Sequence, residues 1–203
     1  MTARRFVRLP PFGAGQTIGL LGGSFNPPHE GHRHISELAL KRLGLDRLWW
    51  VVTPGNPLKS DGDLAALDER IAAAQRLARN PRISVTGVEA EIGSRYTYDL
   101  IRFLKARAPG AKFVWIMGAD NLSQFSRWRR WREIADLVPI AVVDRPGSTL
   151  RALSGRAAQA LARWRVSEAR GRELRSAPGL VFLHGPRSEM SSTAVRRGSV
   201  EVK

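Results

Sequence analysis

Two histidines, His29 and His32, close a turn that runs Gly22-Gly23-Ser24-Phe25-Asn26-Pro27-Pro28-His29-Glu30-Gly31-His32. Imidazole exchanges protons near neutral pH, so a pair of them is a candidate for acid, base or phosphate chemistry. Three residues apart at a helix start, the two rings project to the same side. The glycine pair permits a tight turn and a close approach of backbone to ligand. An apolar run, Ile18-Gly19-Leu20-Leu21, enters the turn; Ile35, Leu38, Ala39 and Leu43 leave it at helical spacing, with Gly44 as a stop. Strand, glycine turn and helix in that order aim backbone N–H groups and a positive dipole end at an anion, which suits phosphate. The same residues also allow a turn with no ligand, a pair of metal ligands, or two solvated imidazoles. The spacing matches neither the Gly-x-x-x-x-Gly-Lys loop nor the Gly-x-Gly-x-x-Gly fingerprint.

As a block, the eleven residues resemble the signature of the nucleotidylyltransferase superfamily, whose members share an HxGH element. The double proline and the first histidine look most like the bacterial nicotinate-nucleotide adenylyltransferases; phosphopantetheine adenylyltransferases usually carry threonine in place of that histidine. Met190-Ser191-Ser192-Thr193-Ala194-Val195-Arg196 is similar to the family's Ser-Ser-Thr-x-hydrophobic-Arg element, with methionine where isoleucine is common. Hydroxyls and N–H groups at a helix start form an anion cradle, and an arginine one turn in forks two donors onto phosphate. Taken alone, such a cluster would suit a helix cap equally well. Gly118-Ala119-Asp120-Asn121-Leu122 with Phe125, Trp128 and Trp131 resembles the segment after the fourth strand. Tyr96-Thr97 resembles a Ser-Tyr-Thr element, here with Arg95 inserted and Leu100 replacing a customary threonine. The resemblance spans about Ile18 to Arg197.

What the resemblance implies is adenylyl transfer from ATP to nicotinate mononucleotide, giving deamido-NAD and pyrophosphate in NAD biosynthesis. His29 and His32 are expected on the triphosphate, with Lys59 and Arg196 on its outer phosphates. Gly22, Gly23, Ser24 and Phe25 are expected to present their backbone to phosphate. Gly118 and Asp120 are expected on ATP, with the Asp120 carboxylate at its ribose, and Ser191, Ser192 and Thr193 would complete the cradle. Asn26, Tyr96, Thr97, Trp128, Arg129 and Arg145 are expected on the acceptor side, with Trp128 stacking on the pyridine ring and Trp131 in the core. Mg²⁺ is expected to arrive with ATP rather than in a carboxylate cage.

Composition bounds the alternatives. With no cysteine, disulfides and thiolate metal sites are excluded. No apolar run approaches the roughly 20 residues of a membrane span, and the basic stretch 1–15 has no apolar core of a secretory signal, so a cytoplasmic protein is expected. A net charge of +15 suggests an anionic partner, and a nucleic-acid-binding protein is the competing class. The arginines, however, are scattered over every predicted helix without a recognition module, and a phosphate-rich small substrate would use the same field. Other acceptors, nicotinamide mononucleotide or phosphopantetheine, and a metal-dependent hydrolase with Glu30 as its acidic ligand, are further alternatives. A homo-oligomer is left open.

The elements that must position these residues follow from periodicity. Short apolar strands are predicted over 18–21, 47–53, 83–85, 112–117, 139–143 and 181–183, and helices over 67–79, after Thr97 and through 131–134. Strands alternating with helices give an α/β fold: a Rossmann-like parallel sheet with helices on both faces. Residues 1–16 are expected as a flexible arm and 17–203 as a single domain. The Arg/Ala-rich stretch 151–178 reads as a surface helix and loop.

Overall fold

The structure is a computed structural model and describes residues 8–55, 64–144 and 149–185. Seven strands among the described residues form one parallel sheet: β1 (Thr17–Gly23), β2 (Arg47–Val52), β3 (Ile83–Thr86), β4 (Lys112–Gly118), β5 (Ile140–Val143), β6 (Arg165–Val166) and β7 (Leu180–Leu183). Their order is β3-β2-β1-β4-β5-β7-β6. The central strands are apolar residue after residue because helices cover both sheet faces, as parallel crossovers require. Leu20 sits in register between Trp49 and Trp115, and that row faces one layer; Leu21 and Trp50 face the other.

The first layer contains α3 (Val88–Glu91), α4 (Thr97–Arg107), α5 (Ala119–Phe125), α6 (Trp131–Leu137), α7 (Thr149–Ser154) and α8 (Arg156–Ala160). Leu100, Ile101, Leu104, Phe125, Trp131 and Ile134 are its main apolar contributions. The second layer holds α1 (Glu30–Leu43) and α2 (Leu67–Leu77), with Ile35, Ala39, Leu40, Leu43 and Ala74 buried. Gly44 ends α1 in the left-handed conformation (φ 59°), the role that a glycine stop serves. Among the described residues, no helix is long and apolar enough to cross a membrane.

Two features depart from the sequence reading. The stretch 151–178 is not a surface helix and loop: α7 and α8 pack on α5 and bury Ala152, Ala157 and Ala158, and β6 adds an edge strand beside β7. Alanines pack closely on a neighbouring helix while adding little to an apolar pattern, and a two-residue strand has no measurable period. The short helix α3 was also not anticipated. Ahead of β1, Gly15 donates its N–H to the Gly110 carbonyl at 2.7 Å, and the Phe12 ring lies 6.3 Å from Trp49.

Candidate active site

The chain leaves β1 toward β2 and β3 on one side of the sheet, and continues from β4 to β5 on the other. Loops following β1 and β4 therefore diverge at a switch point, where open parallel sheets form their ligand crevice. The glycine turn lies after β1, Thr53 after β2, and Gly118 with Asp120 after β4.

Phe25 organises the turn. Its backbone adopts φ 47°, a left-handed conformation that costs a non-glycine residue about 1–3 kcal/mol and persists only where surroundings fix it. Here the ring is fully buried, 5.3 Å from Trp50 in a stacked arrangement and 4.5 Å from His32. The ring is thus core. Gly22 has a different reason for being glycine than phosphate approach: a Cβ there would lie 2.5 Å from Trp115 Cη2.

His29 is the N-cap of α1, 1% exposed, with extended backbone. Its N–H donates to His32 Nδ1 at 3.2 Å, and the two ring centroids are 3.9 Å apart. A nitrogen that accepts an N–H carries no proton, so this bond selects the His32 tautomer with its hydrogen on Nε2. Deeper in, the Ser36 hydroxyl donates to the His32 carbonyl at 2.7 Å, and the Trp50 indole N–H donates to Ser36 Oγ at 2.7 Å. His32 is therefore held at its ring and at its backbone.

Arg70 and Asn26 tie the turn to its neighbours. The Arg70 guanidinium, 3% exposed, donates to the carbonyls of Ser24 (2.7 Å), Thr53 (2.8 Å) and Ala65 (2.8 Å). Asn26 Oδ1 accepts the Ala65 N–H at 3.3 Å, and Thr53 donates its N–H to the Gly23 carbonyl at 3.0 Å. Sequence reasoning missed Arg70, although a signal existed: it falls on the apolar stripe of α2, three after Leu67 and four before Ala74, where an arginine needs a reason. Glu89 was also missed. It is 4% exposed near Thr53, and burial pushes its carboxyl up to about 7 against the opposing pull of the Thr53 hydroxyl.

On the far side of the switch point, Gly118 caps α5 and Asp120 lies in that helix's first turn. Tyr96 caps α4, where Thr97 begins. The Arg129 guanidinium sits 4.8 Å above the Tyr96 ring, so two residues from separate elements meet as a cationic and aromatic pair. Trp128, half-buried, meets Phe125 edge-on at 5.3 Å and Trp115 at 6.1 Å. Trp131 is 7% exposed and belongs to the core, as the sequence suggested. The structure thus assembles the glycine turn with both histidines, and brings Tyr96 to Arg129. Lys59, Arg145, Ser191, Ser192, Thr193 and Arg196 lie outside the described residues. Among the described residues, no group of three or more His, Asp or Glu is placed to hold a metal ion.

Residues 20–198 match the cytidylyltransferase-like family. A protein of Methylorubrum extorquens (strain PA1) that bears the name "probable nicotinate-nucleotide adenylyltransferase" is 62% identical over 181 residues, covering 88% of this chain and 98% of its own. One of the same name from Agrobacterium fabrum is 57% identical, over 88% and 97%. Among solved structures, Plasmodium falciparum nicotinic acid mononucleotide adenylyltransferase in complex with NaAD shares the fold at a TM-score of 0.68 and 17% identity. That match covers 90% of this chain and 83% of the other.

Proposed function

The chain belongs to the cytidylyltransferase-like family and, within it, to the nicotinate-nucleotide adenylyltransferases, and from that premise we propose that it joins ATP to nicotinate mononucleotide. An oxygen of the acceptor's 5′-phosphate attacks the α-phosphorus of ATP in line. One P–O bond forms, the bond to the β-phosphate breaks, and pyrophosphate leaves with its electron pair, giving deamido-NAD. The observation that carries this reading is the histidine pair locked at the start of α1, at the switch point between β1 and β4.

Charge accumulates on non-bridging and leaving oxygens, so positioned donors and positive electrostatics can supply the catalysis without a side-chain nucleophile. His32, neutral with hydrogen on Nε2, donates to the triphosphate, with His29 beside it and the α1 dipole behind both. The Gly22 to Phe25 backbone receives the phosphates at the reacting centre. Asp120 accepts from the ATP ribose. Trp128, with Tyr96, Thr97 and Arg129, forms the acceptor side, where Asn26 holds the adjoining loop. Sequence motifs alone assign Lys59, Arg196 and Ser191 to Thr193 to the phosphates and Arg145 to the acceptor. Mg²⁺ would travel with the nucleotide and offset the charge on its phosphates. Residues 17–203 act as one catalytic domain, and the cytoplasm is the proposed location.

The test is pyrophosphate release from ATP with nicotinate mononucleotide, nicotinamide mononucleotide and phosphopantetheine in turn. Release is expected with the first and weakly with the second. Release with phosphopantetheine alone, or none with any acceptor, would reject the reading.

A further inference from the structure

We infer that Arg70 is a positioning residue that aims the Phe25 N–H at the phosphates of the nucleotide by holding the Ser24 carbonyl inside the protein. The inference rests on the adenylyl-transfer reading only for the identity of the ligand.

A trans peptide is planar, with its carbonyl and the next residue's N–H pointing opposite ways. The Ser24–Phe25 peptide is trans, and Arg70 Nη1 holds its carbonyl at 2.7 Å. With the carbonyl fixed toward buried Arg70, the Phe25 N–H points the opposite way, away from the guanidinium. No acceptor for that N–H is found among the described residues. The left-handed Phe25 backbone completes the geometry, because rotating the plane back would release both the ring packing and the arginine bond.

Arginine suits this role better than any other donor. Its planar fork carries five N–H groups, and here three bonds reach carbonyls from three separate segments: the glycine turn, the end of β2 and the approach to α2. The same nitrogen, Nη1, serves Ser24 and Thr53, so the loops after β1 and β2 are registered against one atom. Lysine offers a point charge on a flexible stem and cannot reproduce that spread. Arg70 touches no reacting atom, and its effect passes through the Ser24 peptide.

The experiment combines kinetics with amide NMR on the full chain. In ¹⁵N-labelled wild type, saturating ATP is expected to move the Phe25 amide proton downfield, as a new bond to a phosphate oxygen does. In Arg70→Lys the shift is expected to vanish, and kcat/KM for ATP to fall on the order of 100-fold, the loss that removing one transition-state donor brings. Both are read per folded molecule, well below Tm. An Arg70→Lys protein with a lower Tm but unchanged kcat, KM and Phe25 shift would overturn the inference and leave Arg70 a structural clamp. If the variant does not fold, the wild-type titration decides: a Phe25 amide unmoved by ATP overturns it. The titration needs no turnover, so absent pyrophosphate release counts against the adenylyl-transfer reading and not against Arg70.

Discussion

The His29 N–H donates to Nδ1 of His32 at 3.2 Å, and the two imidazoles tilt 41° with centroids 3.9 Å apart. One histidine thus sets the proton position of the other. The bond also caps α1, so a substitution can break the cap, the donor, or both. His32→Asn keeps an acceptor near the Nδ1 position and removes the Nε2 donor. Its Tm should stay within a few degrees of wild type while kcat falls by about 10²–10³. His32→Ala should lose as much activity and stability as well. Near-normal kcat in folded His32→Asn would remove His32 from the transition state.

Glu89 should make stability depend on pH. Burial raises its folded pKa to about 7, above the ordinary carboxylate range, so the folded state holds a proton that the unfolded chain has released. The stabilisation is complete below the unfolded pKa and is lost as pH rises through about 7, a swing on the order of 3 kcal/mol. Urea denaturation from pH 4.5 to 8 checks this. Wild type should lose stability across that window, and Glu89→Gln should flatten the loss. An equal slope in both proteins would assign the effect elsewhere.

Adjacent glycines should respond unequally to a methyl group. Gly22→Ala puts Cβ 2.5 Å from the Trp115 ring, and overpacking of this kind costs about 1–3 kcal/mol. At Gly23 the nearest atom is Phe25 Cε2 at 3.4 Å, an ordinary contact, so Gly23→Ala should stay within about 0.5 kcal/mol. Thermal unfolding of the two variants measures the difference.

Acceptor choice provides a fourth expectation. The acid should be preferred over the amide by at least ~100-fold in kcat/KM: backbone N–H donors near Thr97 and after Trp128, as proposed for the acceptor side, would leave the amide's NH₂ facing a donor. An aromatic face does not distinguish the two, so Trp128→Ala should raise KM for both acceptors and leave their ratio intact. Comparable efficiency of wild type with both acceptors would reject this pocket.

The fold was legible because the strands are short apolar runs and the helices carry clean stripes; Leu100, Ile101 and Leu104 are buried as their spacing demanded. The turn was legible as a motif, yet its reasons were not. Gly22 yields to Trp115, a residue far away in sequence, and the Phe25 ring is core. Pattern reading follows neighbours along one chain segment, whereas these constraints come from across the sheet. Arg70 shows the limit most sharply: its three carbonyl partners lie in three segments, and carbonyls leave no trace in a sequence.

The strand order also has a kinetic consequence. The proposed catalytic crevice lies at the switch point between β1 and β4, and that seam pairs Ile18 with Phe113 and Leu20 with Trp115. Contacts so distant along the chain close slowly, because loop entropy is lost before they form. During synthesis, β1 and its histidine turn emerge well before the strand that must lie beside them. Refolding should therefore regain helical signal early and catalytic competence late, when the two halves of the sheet dock along this seam.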